Sequence, residues 1–381
     1  MMRGATYTLR ARRVAAMQPG REIILDGAVA VHQGLVVEAG SWRELKSSCP
    51  AEVRDLGEVT LLPGLVNAHT HLELSHLGLP PETGRGFLEW VRWLVAQPVS
   101  DVDHASLDRA VAMLTACGTV AVADVTNRHP LLVAARLAAR DLDYRLQFER
   151  FGYQGDAPLP PLAPISEVPE ERLTLAGHAL YSTNPESLRR AKDWDTARGR
   201  TFSIHLAEHL GEVELLAQGT GDFAEFMQSR ILPRDFTPPG LSPVAWADAL
   251  GLIDERTLAV HVVHVSKSDI DLLKLRGASV CLCPRSNAVI GVGRADPRAF
   301  LDAGLRCCLG TDSLASAPDL DLWEELRALL GLTGLTLAEA ARLLTANPAN
   351  VFGFSRLGRF AQGCDPRYAV VPPDLEKALD D

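Results

Sequence analysis

Between residues 61 and 349 the chain repeats one rhythm: a short apolar run, then a stretch whose apolar residues recur at helical spacing. GLVNAHTH precedes GFLEWVRWLVAQ, TVAVADVT precedes HPLLVAARLAAR, and LTLAGHAL precedes NPESLRRAKDWDTARG. TFSIHLAEH precedes GEVELLAQ, LAVHVVHV precedes SKSDIDLLKLRG, and LRCCLGTD precedes LDLWEELRALLGL. YRLQFERF and ASVCLCP complete the set. The runs are apolar throughout instead of alternating, as strands covered on both faces are. About eight such strand–helix units predict an α/β fold closed into a (β/α)8 TIM barrel.

The two ends read differently. Residues 1–60 carry short apolar alternations such as ATYTLRARRV and EIILDGAVAVHQGLVVEAG, broken by turn residues. The tail SRLGRFAQGCDPRYAVV returns to that pattern. Residues 1–60 and 350–381 are therefore expected to build one small composite β-sandwich domain beside a barrel spanning 61–349. TPPGLSP, at 237–243, reads as a loop.

Composition narrows the class. The 381 residues are 47% hydrophobic and 23% charged, with a formal net charge of −10. That excess of acid argues against a nucleic-acid or anionic-membrane partner, since both call for a basic face. No run approaches the ~18 uninterrupted apolar residues of a membrane span. The start, MMRGATYTLRARRVAAM, has basic residues but no apolar segment of the kind a signal peptide needs. Seven scattered cysteines, an odd number, read as reduced thiols of a cytoplasmic chain. Cys281 and Cys283 face one side of a strand and are either small buried apolar residues or a weak metal pair.

Unusual polar residues then stand out at the ends of the apolar runs. His69 and His71 end the first, His178 ends LTLAGH, and His205 ends FSIH with Glu208 three residues on. His261 ends LAVH, and Asp312 ends CCLGTD. In a parallel barrel these ends converge on one mouth, where the chemistry sits. His69 and His71 are two apart on a strand, so both imidazoles point the same way. With His205 and Asp312 they make a set suited to one divalent ion, Zn2+ or Fe2+, with a position left for water. Such an ion lowers the pKa of water toward neutrality. Glu208 would then carry the proton to a leaving group, and His261 would hydrogen-bond the nucleophile or the developing oxyanion. Asp312 has a plainer alternative as a helix N-cap, and Glu73 reads either as a partner of His69 or His71 or as a loop charge. His32, His104 and His129 read as surface or loop residues, and a helix or loop face accounts for His76 and His209.

PGLVNAHTHLE, SIHLAEH, HVVHVS, CPRSN and LGTDS resemble, in order, the motifs of the amidohydrolase superfamily. The resemblance covers essentially the whole chain. It points to the mononuclear branch of chlorohydrolase-like and aminopurine-nucleoside deaminases, because LTLAGHALYS offers His178 and no lysine on the fourth strand. It implies one metal on His69, His71, His205 and Asp312, a proton shuttle at Glu208, and contact of His261 with the hydrolytic water. It also implies a purine contact at His178 and a ribose contact at Glu89, in FLEWVRWL. NAHTHLELS with GFLEWV most resembles the 6-aminodeoxyfutalosine deaminases of the futalosine route to menaquinone.

A substrate of that kind, an aminopurine nucleoside with a carboxylate, calls for a cation at the far end of the pocket. Arg285, Arg145 and Arg150 are the candidates, each with the alternative of a structural or surface arginine. The expected activity is hydrolytic loss of the 6-amino group, and a homodimer is the expected assembly, a common outcome for soluble enzymes. Other amidohydrolase substrates, such as methylthioadenosine, S-adenosylhomocysteine, guanine or a chlorotriazine, would use the same metal set. A metal-binding barrel without catalysis is the alternative from another class, and the presence of Glu208 argues against it.

Overall fold

The protein is described by a computed structural model over residues 5–47, 52–153 and 168–379. Cys49, one of the seven cysteines, lies outside the described residues. β1 (Tyr7–Gln18), β2 (Arg21–His32) and β3 (Leu35–Ser41) form an antiparallel meander. β4 (Val53–Asp55) and β5 (Thr60–Pro63) both run parallel to β1 along its other edge.

The chain then enters the barrel. β6 (Leu65–Thr70), β7 (Thr119–Thr126), β8 (Asp143–Arg150) and β9 (Leu173–Gly177) pair in parallel, each with the next. β10 (Phe202–Leu206), β11 (Thr257–His261), β12 (Ser279–Leu282) and β13 (Arg306–Leu309) continue the same sheet. These eight strands fall on the eight apolar runs read from the sequence. β6, β7, β9, β10, β11 and β12 are buried at every position, which is why their sequences do not alternate. β14 (Tyr368–Val370) returns to pair antiparallel with β5, so one six-stranded sheet draws strands from both ends of the chain. Among the described residues, no helix is long and apolar enough to cross a membrane.

The barrel closes between its first and last strands. The amide of Asp312 donates to the carbonyl of His69 at 3.0 Å, and Thr70 and Asp312 form a parallel bridge. Asn67 staples the same seam: its Nδ2 donates to Thr311 Oγ1 at 2.8 Å and its Oδ1 accepts from the Thr311 amide at 3.2 Å. Gly310 lets the two strands approach. A Cβ there would stand 2.7 Å from His69 Cβ and 2.9 Å from Cys281 Sγ.

Behind the HxH segment, β7 contributes Asp124, which is fully buried and accepts from Thr70 Oγ1 and the Leu72 amide, each at 2.8 Å. Glu73 does not turn toward the histidines, and the reading of it as their partner is corrected here. Its carboxylate accepts from the amides of Asn127, Arg128 and His129, and from the Thr126 hydroxyl. Those are donors at the start of the helix Pro130–Ala139, whose own N-cap residue, His129, makes no side-chain cap. The charge thus sits where helix N-termini favour anions and ties the loop after β6 to the loop after β7.

Two stability outcomes follow. Gly310→Ala should lower the unfolding free energy by about 1–3 kcal/mol in urea denaturation, because the overpacked atoms are the Cβ and amide nitrogen of His69 and a buried sulfur, none of which can swing away. Glu73→Gln should cost roughly 1–3 kcal/mol in the same assay, since an NH2 group would face N–H donors.

Candidate functional site

His69 is next to last in β6 and His71 follows the strand, and the pleat carries both rings to one side. Their Nε2 atoms are 3.1 Å apart. His205, from β10, brings its Nε2 to 3.2 Å from that of His69 and 3.3 Å from that of His71. A tetrahedral ion with bonds of about 2.0–2.1 Å would space its ligand atoms about 3.3–3.4 Å apart, so the triangle fits one. The Nδ1 of His205 donates to the His178 carbonyl at 2.8 Å, which leaves the Nε2 lone pair aimed inward. Burial lowers the pKa of His69, His71 and His205, that of His71 to about 3, and so keeps these rings neutral. Three neutral nitrogens aiming lone pairs at one point repel each other unless a cation joins them.

Asp312 closes the set. Its Oδ1 lies 3.6 Å from His71 Nε2 and 3.9 Å from His69 Nε2. Its Oδ2 accepts from the Ser286 hydroxyl at 2.6 Å, which orients the other oxygen toward the histidines. His69, His71, His205 and Asp312 could therefore hold a single divalent ion.

Beside this set, Glu208 is 5% exposed and its Oε1 lies 3.6 Å from His261 Nε2. The Nδ1 of His261 pairs with Asn287 Oδ1 at 3.0 Å, and donation there leaves Nε2 as the free face of the ring. Burial first, and then the neighbouring carboxyls of Asp312 and Glu212, raise the Glu208 pKa well above the usual carboxylate value. Such a group can carry a proton near neutral pH. Backbone strain gathers at the same mouth: Ala207, His261, Val262 and Asp312 all have positive φ, from 43° to 72°. Each is a conformation that side chains pay for, kept where surrounding contacts over-determine it.

His178 stands just after β9, as the sequence reading placed it. Its Nδ1 is 2.5 Å from Ser182 Oγ, and the exposed ring of Phe151 meets it edge-on at 5.2 Å between centroids. Glu149, at the end of β8, was not singled out in the sequence. It forms a second group with His178 and His205, with ligand atoms within 4.8 Å of one another. Its Oε2 accepts from Asn127, while Oε1 is buried without a hydrogen-bond partner. The signal was available: a carboxylate closing the apolar run YRLQFER. Ser286 and Asn287 were also missed as individuals, although both lie inside CPRSN.

The substrate contacts expected farther out are not brought to the cluster. Glu89 sits on an exposed helix face, paired with Arg92 at 2.6 Å. Its neighbour Trp90 instead reaches inward and donates from Nε1 to the Ala315 carbonyl at 3.0 Å. Arg145 lies near the start of β8, about 16 Å along the strand from the mouth at ~3.3 Å per residue. Its guanidinium covers the Phe354 ring and donates to the carbonyls of Tyr144 and Gly353. Arg285 is clamped by both oxygens of Asp319, at 2.6 and 2.9 Å. Strand alternation turns Arg150 away from the interior that Glu149 faces. Arg145 and Arg285 are therefore both engaged by groups of the scaffold. Cys281 and Cys283 are buried, unpaired by disulfide, and attract no third ligand among the described residues. His209 caps the helix Leu210–Gln218 and stacks on Phe87 at 3.8 Å.

The aminodeoxyfutalosine deaminase of Deinococcus radiodurans is 30% identical over 318 residues, 78% of this chain and 74% of that protein. The 5-methylthioadenosine/S-adenosylhomocysteine deaminase of Nitratidesulfovibrio vulgaris is 29% identical over 387 residues, 93% of this chain and 81% of that one. The crystal structure of Helicobacter pylori aminofutalosine deaminase superposes with a TM-score of 0.82 at 22% identity, covering 99% of this chain and 95% of that one, and shows the shared fold. A sequence model described as the Amidohydrolase family matches residues 60–381. With that match running through the barrel and its histidine-lined mouth, the chain belongs to the amidohydrolase family and is a hydrolytic enzyme.

Proposed function

We propose that this enzyme removes the 6-amino group of an adenine nucleoside, with 6-aminodeoxyfutalosine as its substrate and menaquinone synthesis as its setting. The observation that carries the chemistry is the triangle of imidazole nitrogens with edges of 3.1–3.3 Å, flanked by Asp312 and by the buried Glu208. The substrate class is supported by two relatives whose names both specify deaminases of adenine nucleosides.

On this reading His69, His71, His205 and Asp312 hold one divalent ion, zinc or ferrous iron. Such an ion would polarise water and lower its pKa toward neutrality. Water adds to C6 of the purine and ammonia leaves, giving the 6-oxo product. Glu208 takes one proton from the attacking water and gives it to the ring nitrogen beside C6, then takes the second from the new C6 hydroxyl and gives it to the departing amine. His261, held by Asn287, presents Nε2 to the oxygen entering at C6. Ser286 keeps Asp312 turned toward the histidines. His178 meets the purine, and the Phe151 ring beside it offers an apolar wall. Glu89 meets ribose hydroxyls only by giving up Arg92.

A second reading within the same chemistry takes methylthioadenosine or S-adenosylhomocysteine as substrate. It is favoured by the relative of that name, which aligns over 93% of this chain. The deciding experiment is ammonia release, followed with the purine absorbance change, from metal-replete protein. The panel is 6-aminodeoxyfutalosine, adenosine, methylthioadenosine, S-adenosylhomocysteine, guanine and a chlorotriazine. Strong preference for aminodeoxyfutalosine is expected. Preference for another nucleoside would replace the substrate and keep the mechanism, and silence across the panel would overturn the reading.

Two outcomes test the roles of residues. Removing the ion with a chelator should abolish turnover, and adding back one equivalent should restore it. Glu208→Gln should lower kcat by about 10²–10⁴-fold while ion stoichiometry stays at one per chain. Turnover at the wild-type rate in Glu208→Gln would remove Glu208 from the proton path.

A further inference from the structure

From His205 to Glu212 the chain reads HLAEHLGE, and the last residue has no part in the chemistry above. Glu212 lies in the first turn of the helix Leu210–Gln218 and is fully buried. Its carboxyl does not serve its own helix. It folds back across the N-cap, and Oε2 accepts from the amide of Glu208 at 3.0 Å. The other oxygen, Oε1, is buried beside it with no hydrogen-bond partner among the described residues. Meanwhile the helix start is capped by another group, His209 Nδ1, which accepts from the Glu212 amide at 3.2 Å.

The amide that Glu212 holds belongs to a strained turn. Ala207 has φ of 52°, a left-handed conformation that a Cβ-bearing residue rarely adopts. The two carbonyls of that turn are engaged from the neighbouring strand end. Leu206 O accepts from the Val262 amide at 3.1 Å, and Ala207 O accepts from the His264 amide at 2.9 Å. The turn therefore has its carbonyls fixed by the β11 side and its Glu208 amide fixed by Glu212. Between them it delivers the Glu208 side chain to His261. Without Glu212, the buried Glu208 amide loses its acceptor and the strain at Ala207 loses what offsets it.

We propose that Glu212 is the positioning residue for Glu208, acting through the backbone by holding the left-handed turn at Ala207. The proposal rests on the reading of Glu208 as the proton carrier. Its effect falls on the aim of Glu208 and leaves the ion-binding residues, which sit on other segments or earlier in β10, as they are.

The test compares wild type, Glu212→Ala, Glu212→Gln and the double variant Ala207→Gly/Glu212→Ala, all metal-replete. Glu212→Ala should lower kcat by about 10²-fold with KM and ion stoichiometry unchanged, the size of effect that a misplaced reacting group produces. Glu212→Gln keeps a carbonyl acceptor and should stay within about 10-fold of wild type. Adding Ala207→Gly should recover part of the loss, because glycine enters the left-handed region without strain. Amide hydrogen exchange across residues 204–210 gives a readout that needs no substrate. It should be slow in wild type and Glu212→Gln, and faster in Glu212→Ala.

Wild-type kcat in Glu212→Ala would overturn the proposal. So would a kcat loss that only tracks loss of ion, an equal loss in Glu212→Gln, or unchanged exchange at 204–210. If wild type itself deaminates nothing in the panel, the functional reading fails, and the exchange comparison still decides whether Glu212 holds the turn.

Discussion

The structure turns on the seam where the barrel closes. One backbone hydrogen bond, from the Asp312 amide to the His69 carbonyl, joins the first strand to the last. The same two residues supply a histidine and the carboxylate of the candidate ion site. Closing the sheet and assembling the ligand set are therefore one event. An eight-stranded parallel sheet has no reason to present residues 69 and 312 to each other except through closure. Asn67 and Thr311 brace the seam with side chains, and Gly310 gives it room.

A site built this way is costly to keep empty of charge compensation. His69, His205, His261, Glu208 and Asp312 are all buried. Buried imidazoles and carboxyls lose hydration and must find partners. The protein supplies them in a second layer: the His178 carbonyl for His205, Asn287 for His261, Ser286 for Asp312 and Glu212 for the Glu208 backbone. Each fixes a tautomer, a rotamer or a turn, so the inward-facing atoms are left without protein donors. The positive φ values at Ala207, His261, Val262 and Asp312 belong to the same economy, in which strain is held at the mouth by bonding around it.

Much of the barrel and of the ion site could be read in advance because both depend on local patterns. Strands covered on both faces must be apolar at every position, and polar residues that interrupt them at their ends stand out. The HxH spacing says by itself that two rings share a side. Other contacts could not be read that way. Glu73 lies two residues from His71, yet its carboxylate caps a helix that starts more than fifty residues later, because that is where buried amides lacked an acceptor. Arg145 and Arg285 read as candidate cations in the sequence, which does not show the scaffold groups that engage them.

The sequence by itself determined which residues could share the mouth. Periodicity placed His69, His71, His205, Glu208, His261 and Asp312 at strand ends, and parallel strands put all such ends on one side. Only the tertiary structure decided what each polar group bonds. It set the nitrogens 3.1–3.3 Å apart, turned Asp312 with Ser286, and sent Glu212 back to the amide before its helix. The physical reason is range. Side-chain direction along a strand follows from the chain's own geometry, whereas a hydrogen-bond partner is whichever buried group folding leaves within about 3 Å.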